Sequence, residues 1–212
     1  MGKRRRRSRL PEEPVALSVE GLSHEGRGIA RVDGKTVFVH GALAGEQVMA
    51  RYTRRHRRFD EARVEQVLEA SAQRVTPRCP SFGICGGCSL QQMPPDDQIG
   101  FKEQVLLEQL QHIGEVTPQE VLPAITGPVW GYRRKARLAV KDVPAKGRVL
   151  VGFREKHSPF VTNMTECHVL DPRVAERLSD LSELIASLSC RDRIPQIEVA
   201  TTDTTVALVF RN

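Results

Sequence analysis

Three cysteines within ten residues constrain this chain more than any other feature of its sequence. Cys79, Cys85 and Cys88 follow the spacing C-x5-C-x2-C, and Gly86 and Gly87 between them would let the backbone fold tightly around a bound ion. Thiols so close together are unusual unless they bind a metal. Because thiolates suit both zinc and iron-sulfur clusters, the spacing alone leaves these two possibilities open.

A four-ligand site needs one more donor, and the chain offers two further cysteines. Cys167 precedes Asp171 in a predicted loop, where a ligand can turn freely, whereas Cys190 ends a predicted helix. We expect Cys190 to be an ordinary thiol at a helix end. Five cysteines in a chain with no secretory signal argue against a disulfide framework and favour metal binding or catalysis.

The net charge of +6 belongs entirely to the first ten residues, because residues 11–212 contain 26 basic and 26 acidic side chains. We predict that residues 1–13 form a basic, disordered tail that gives at most nonspecific help in nucleic-acid binding. No segment has the apolar length of a signal peptide or a membrane span. We therefore expect a cytoplasmic protein that does not enter a membrane.

Residues 14–74 alternate short apolar-polar runs with turn signals. Asp33-Gly34 is a strong hairpin signal between two of these runs. Five short strands in about sixty residues predict a small antiparallel β-barrel of the OB type. The predicted strands are 15–19, 28–32, 36–39, 46–51 and 62–67.

Residues 75–212 read as a mixed α+β unit that begins with the cysteine loop. Helical spacing of apolar residues predicts one helix over 99–113, introduced by Pro94-Pro95, and another over 172–188. Strands are predicted at 130–140, 149–154, 196–200 and 205–210. Because the chain stops inside or just after a strand, we expect a larger protein.

Two basic clusters in the body of the chain are candidates for RNA contact. Residues 51–59 are predicted to form the loop between the fourth and fifth barrel strands, a position from which OB-like barrels touch oligonucleotides. Tyr52 and Phe59 flank this cluster and could stack on bases. In a strand over 130–138, alternate residues share a face. The candidate contacts are Arg54, Arg55, Arg57, Arg58, Arg133, Lys135 and Arg137.

Several motifs together resemble the RlmD (RumA) branch of the bacterial RNA uracil-C5-methyltransferases. The motifs are Pro77 to Pro80, Cys88 to Gln92, Trp130 to Leu138, Gly152-Phe153-Arg154 and the later Cys167. The resemblance implies a TRAM domain, which is an OB-like RNA-binding barrel, over residues 14–74, whereas the RlmC (RumB) branch lacks one. It also implies a [4Fe-4S] cluster held by Cys79, Cys85, Cys88 and Cys167, and it favours iron-sulfur over zinc.

The same family places catalysis in a C-terminal Rossmann-like domain that binds S-adenosylmethionine and carries a nucleophilic cysteine. No segment here resembles that domain or its Ser-Cys-Asn-Pro motif, so we expect these 212 residues alone to be inactive. The resemblance implies a parent enzyme that forms 5-methyluridine in 23S ribosomal RNA, and we expect that enzyme to be monomeric. The alternatives are a transfer RNA uracil-C5-methyltransferase and a stand-alone RNA-binding protein with a four-cysteine metal site.

Overall fold

The computed structural model describes residues 10–212, which divide into two compact units. The first unit runs to Thr76 and includes Gln92–Gln119, and the second comprises Pro77–Gln91 and Glu120–Asn212. Residues 1–9, and with them most of the predicted disordered tail, lie outside the described residues. The sequence-based boundaries 14–74 and 75–212 stay predictions.

The first unit is built on a six-stranded sheet and one helix. Apolar residues alternate with polar ones along the strands, so one face packs into a core that contains Leu17, Ala30, Val39 and Val48. The strands are β1 (Val15–Ser18), β2 (Gly21–Leu22), β3 (Gly28–Val32), β4 (Lys35–His40), β5 (Gln47–Arg55) and β6 (Phe59–Glu69).

The strand order corrects our prediction of a small antiparallel β-barrel of the OB type. Hydrogen bonding connects the strands as β1-β5-β6-β4-β3-β2, which is an open order, and the β4–β6 pair is parallel. The edge strands β1 and β2 are nevertheless consecutive in the chain. Between them, the N–H of Val19 donates to the carbonyl of Glu46 and the N–H of Glu20 to that of Ile29. One segment therefore passes from one edge of the sheet to the other.

Glu46 fixes the turn before β5. Its carboxylate is fully buried and accepts hydrogen bonds from the Leu43 and Ser71 N–H groups and from the Arg74 guanidinium. Arg74 also donates to the Gly41 carbonyl at 2.6 Å. Burial alone raises the pKa of Glu46, but these donors outweigh it, so the pKa is lowered and the carboxylate stays charged.

The helix α1 (Pro95–His112) begins with a proline and two acidic residues in its first turn, which is a favourable helix start. It confirms the helix predicted over 99–113 and starts four residues earlier. None of its residues is buried, and Leu106 is 56% exposed.

The second unit is a mixed α+β structure around a four-stranded sheet with the order β10-β9-β7-β8. The strands are β7 (Lys135–Val143), β8 (Arg148–Gly152), β9 (Gln196–Thr201) and β10 (Val206–Arg211). The predicted strand over 130–140 begins only at Lys135. Before it, Arg133 bonds to the segment after Cys167, because its N–H donates to the Val169 carbonyl.

Two helices contribute to the core of the second unit where we predicted one. The predicted helix over 172–188 breaks at 176–177 into α2 (Pro172–Ala175) and α3 (Leu178–Ser187). Val174 of α2 and Leu178, Leu181 and Ile185 of α3 all pack into one core despite the break. Within the described residues, no helix combines the length and apolar character needed to span a membrane.

Candidate functional site

The cysteine loop, residues 79–88, is held in shape by local backbone hydrogen bonds. The N–H of Phe82 donates to the Cys79 carbonyl at 3.0 Å and that of Cys85 to the Ser81 carbonyl at 2.9 Å. Gly83 has a φ of +88°, a left-handed conformation that glycine adopts without strain. The sequence therefore folds this segment into consecutive turns that bring its three thiols near one another.

Close approach to the segment after β8 explains two of the three glycines of the loop, Gly86 and Gly87. A Cβ on Gly86 would lie 2.9 Å from the Arg154 carbonyl oxygen, and one on Gly87 would lie 3.2 Å from the Phe153 ring. Cys85 and Glu155 form an antiparallel bridge at this place. The glycines therefore allow the loop to pack directly on residues 153–155.

All four predicted cysteine ligands line one small cavity in the second unit, of about 20 Å³. Cys167 comes from a segment nearly eighty residues beyond the loop, and its thiol is buried. Cys190 is not among the lining residues and instead packs against the core of the unit. The remaining lining residues are Phe82, Gly87, Gln91, Phe153, Met164, His168 and Val169.

None of these four thiols forms a disulfide, and burial shifts the pKa of two of them. Burial raises the pKa of Cys79 and of Cys167, and negative charge on Cys85 and Cys88 would raise both further. Within residues 10–212, no three histidine, cysteine, aspartate or glutamate side chains lie close enough to hold a single metal ion. The four cysteines are neighbours around one cavity.

Two cations contact the cysteine loop, and sequence reasoning assigned neither of them to it. Arg133 donates from Nη2 to the Gly87 carbonyl at 3.0 Å, and its guanidinium lies 5.3 Å from the centre of the Phe153 ring. The ammonium of Lys156 lies 5.2 Å from the centre of the Phe82 ring. Lys156 carries no motif signal, because only the fold brings residue 156 beside the loop.

His168 lines the cysteine cavity beside Cys167. Its Nε2 is 3.7 Å from a carboxylate oxygen of Glu166, and its ring meets the Trp130 ring edge-on at 5.9 Å. Trp130 is partly buried and packs against the core of the unit. His168 therefore contacts Trp130 and also lines the cysteine cavity.

The basic cluster of the first unit is a hairpin, which corrects the predicted long loop over 51–59. Strand β5 continues to Arg55 and β6 begins at Phe59, so the turn contains only residues 56–58. Arg54 and Arg55 therefore stand on the strand and Arg57 and Arg58 on the turn, and all four are exposed. Arg55 also lies 3.8 Å from Asp60.

Aromatic stacking stabilises the tip of this hairpin. The rings of His56 and Phe59 stack at 4.3 Å, and Phe59 meets Phe38 edge-on at 5.3 Å. Lys35 donates to the His56 carbonyl at 2.8 Å and to the Asp60 carboxylate at 2.6 Å. The Phe59 ring therefore packs against other rings of the protein, whereas we predicted that it could stack on bases.

The second predicted basic stripe lines a groove of about 620 Å³ on the sheet of the second unit. Lys135 and Arg137 project from β7 and are exposed, whereas Arg133 is half-buried by its contacts with Gly87 and Phe153. Glu198 of β9 lies 3.8 Å from Arg137. The three predicted side chains share one groove although residues 133–134 precede the strand.

Comparison with known proteins found one matching domain family and several similar full-length proteins. Residues 13–65 match the TRAM domain family. A 23S rRNA (uracil(1939)-C(5))-methyltransferase RlmD from Alkalilimnicola ehrlichii is 61% identical over 212 residues, which is 100% of this chain and 47% of that protein. The chain is a relative of the RlmD proteins along its whole length.

Other relatives agree with this assignment. The RlmD protein of Alcanivorax borkumensis is 52% identical over 98% of this chain and 47% of its own length. The chain thus spans about half the length of these curated relatives. A crystal structure of Pyrococcus abyssi tRNA (uracil-54, C5)-methyltransferase with S-adenosyl-L-homocysteine shares the fold, with a TM-score of 0.61 and 22% identity over 92% of this chain and 45% of that one.

Proposed function

We propose that this chain is part of an S-adenosylmethionine-dependent 23S rRNA (uracil-C5)-methyltransferase that forms 5-methyluridine. The observation that carries the proposal is the match to RlmD proteins from end to end, at 61% identity to one of them. In this proposal the 212 residues bind RNA and a [4Fe-4S] cluster. A Rossmann-like C-terminal domain, outside these residues, binds S-adenosylmethionine and performs methyl transfer.

The cluster ligands in this proposal are Cys79, Cys85, Cys88 and Cys167. Support comes from the four thiols that line one cavity and from an all-sulfur donor set, which suits iron-sulfur clusters. Bound there, the cluster would form iron–thiolate bonds that join the loop to the segment around Cys167. Its role is to fold the loop and shape the neighbouring RNA-binding surface, without redox turnover.

Two exposed basic surfaces are the proposed RNA contacts. Arg54, Arg55, Arg57 and Arg58 form one on the β5–β6 hairpin, and Lys135 and Arg137 form the other along the groove of the second sheet. Arg133 borders this groove but also supports the cysteine loop. Unstacking a target uridine costs a few kcal/mol, and contacts of this kind offset that cost.

The chain alone binds RNA but does not transfer methyl groups, and the complete protein acts as a cytoplasmic monomer. A strain that lacks the gene tests the assignment of the substrate. We expect 5-methyluridine to disappear from 23S ribosomal RNA and to persist in transfer RNA. Loss from transfer RNA alone would favour a transfer RNA methyltransferase. Unchanged methylation in both RNAs would favour a stand-alone RNA-binding protein.

A further inference from the structure

Lys156 lies beside the cysteine loop because of backbone hydrogen bonds on both sides of the bridge between Cys85 and Glu155. The N–H of Gly86 donates to the Arg154 carbonyl at 2.9 Å, and the N–H of Lys156 donates to the Ile84 carbonyl at 2.9 Å. These bonds fix the backbone of residue 156 against the loop. The position of Lys156 is therefore part of the local fold.

The side chain of Lys156 also stays on the loop. Its ammonium is 5.2 Å from the centre of the Phe82 ring, and Phe82 lines the cavity that the four cysteines share. Burial lowers the pKa of Lys156, and negative charge on Cys88 and Cys85 would act in the opposite direction. Lys156 is half-buried, so water screens these interactions less than at an open surface.

A centre with four thiolate ligands carries net negative charge in a partly buried place, and such charge needs compensation. Arg133 supplies one nearby cation, but its contacts are to the Gly87 carbonyl and the Phe153 ring. Lys156 is a second nearby cation, and its ammonium lies over Phe82, which lines the cavity of the four cysteines. Net charge and surroundings set the reduction potential of iron-sulfur clusters.

We propose that Lys156 is a positioning residue that compensates the negative charge of the cysteine-bound centre and so stabilises it. This inference rests on the proposed [4Fe-4S] centre and deepens it by naming a residue of the surrounding protein. A positive charge beside the cluster favours its reduced, more negative state. Removing that charge therefore lowers the reduction potential and weakens retention of the cluster.

The test uses the 212-residue chain, purified without oxygen, with the variants Lys156→Gln, Lys156→Arg and Lys146→Gln. Lys146→Gln is the matched control, since it removes the same charge from an exposed turn. Iron and sulfide content, the rate of loss of visible absorption in air and the midpoint potential are measured for each.

We expect Lys156→Gln to shift the equilibrium at least tenfold toward the oxidised cluster. This shift corresponds to a fall in the midpoint potential of about 59 mV for a one-electron couple. The variant should also lose its visible absorption faster in air. Lys156→Arg and Lys146→Gln should match the original chain. If the original chain contains the cluster and Lys156→Gln keeps its potential and lifetime, the role of Lys156 is overturned while the centre stands. If the original chain contains neither iron nor sulfide, the centre itself is wrong and the inference falls with it.

Discussion

Cys167 and Cys190 show how surroundings distinguish two thiols of the same unit. The Cys167 thiol is buried and lines the cavity shared with Cys79, Cys85 and Cys88. Cys190 is half-buried, precedes the short turn Arg191–Arg193 and packs against the core. From the sequence alone, Cys167 and Cys190 were both candidates for the fourth ligand. In the structure, only Cys167 lies beside the cysteine loop.

We predict that Cys167→Ser abolishes stable metal binding, because serine removes one of four thiolate donors and the other three cannot complete the site. Cys190→Ser should leave the metal content unchanged. Metal analysis of both variants, purified side by side without oxygen, gives the answer. Equal metal loss in the two variants would contradict the proposed ligand set.

A second residue-level prediction concerns Glu46, whose pKa is lowered in the folded protein by Arg74 and two backbone N–H groups despite its burial. A lowered folded pKa stabilises the protein above the unfolded pKa of about 4.3, and this stabilisation is lost as pH falls through the folded pKa. Glu46→Gln should therefore lower the free energy of unfolding by roughly 1–3 kcal/mol near neutral pH.

The difference between Glu46→Gln and the original chain should shrink as the pH falls below about 4.3. Hydrogen exchange of the β5 amides in increasing denaturant measures the free energy of unfolding locally. Glu20→Gln is the control, because Glu20 is exposed and its ion pair with Arg31 contributes little. A difference that does not depend on pH would show that the carboxylate charge is not what stabilises the turn.

At the scale of elements, the periodicity of apolar residues predicted individual strands better than it predicted their arrangement in the sheet. Alternation in 28–32 and 36–39 correctly indicated the hairpin of β3 and β4, since Asp33-Gly34 supplies the positive φ that the turn needs. Periodicity cannot show which strands become neighbours, so the parallel β4–β6 pair and the open strand order were not predicted. The break at 176–177 was also missed, because its apolar spacing fits a continuous helix.

The β5–β6 hairpin allows a direct test of RNA binding. The double variant Arg57→Ala/Arg58→Ala removes two exposed charges from the turn, whereas Arg148→Ala removes an exposed charge from the start of β8. We predict weaker binding to any RNA sequence, because phosphate contacts carry no sequence information. The slope of log K against log salt should become shallower by about 1.4 for single-stranded RNA.

Fluorescence titrations of labelled RNA at several salt concentrations measure that slope. Arg148→Ala should leave both affinity and slope unchanged, since this residue lies outside the two proposed surfaces. An unchanged slope in the double variant would exclude the hairpin turn as a phosphate contact.

At the scale of the whole molecule, the sequence motifs predicted the cysteine site more fully than the surfaces around it. Cys79, Cys85 and Cys88 follow from their spacing, and Cys167 follows from the family resemblance, because ligands distant in sequence leave no spacing signal. Lys156 and the support that Arg133 gives to Gly87 depend on the three-dimensional packing of 153–156 against the loop. The chain spans 47% of the length of the two RlmD proteins compared above.

The measurement that tests the central claim most directly is iron and acid-labile sulfide analysis of the 212-residue chain, purified without oxygen, together with its visible absorption. Our account predicts about four iron and about four sulfide ions per chain, with the broad visible absorption of a [4Fe-4S] cluster. About one zinc ion per chain, with neither iron nor sulfide, would contradict it.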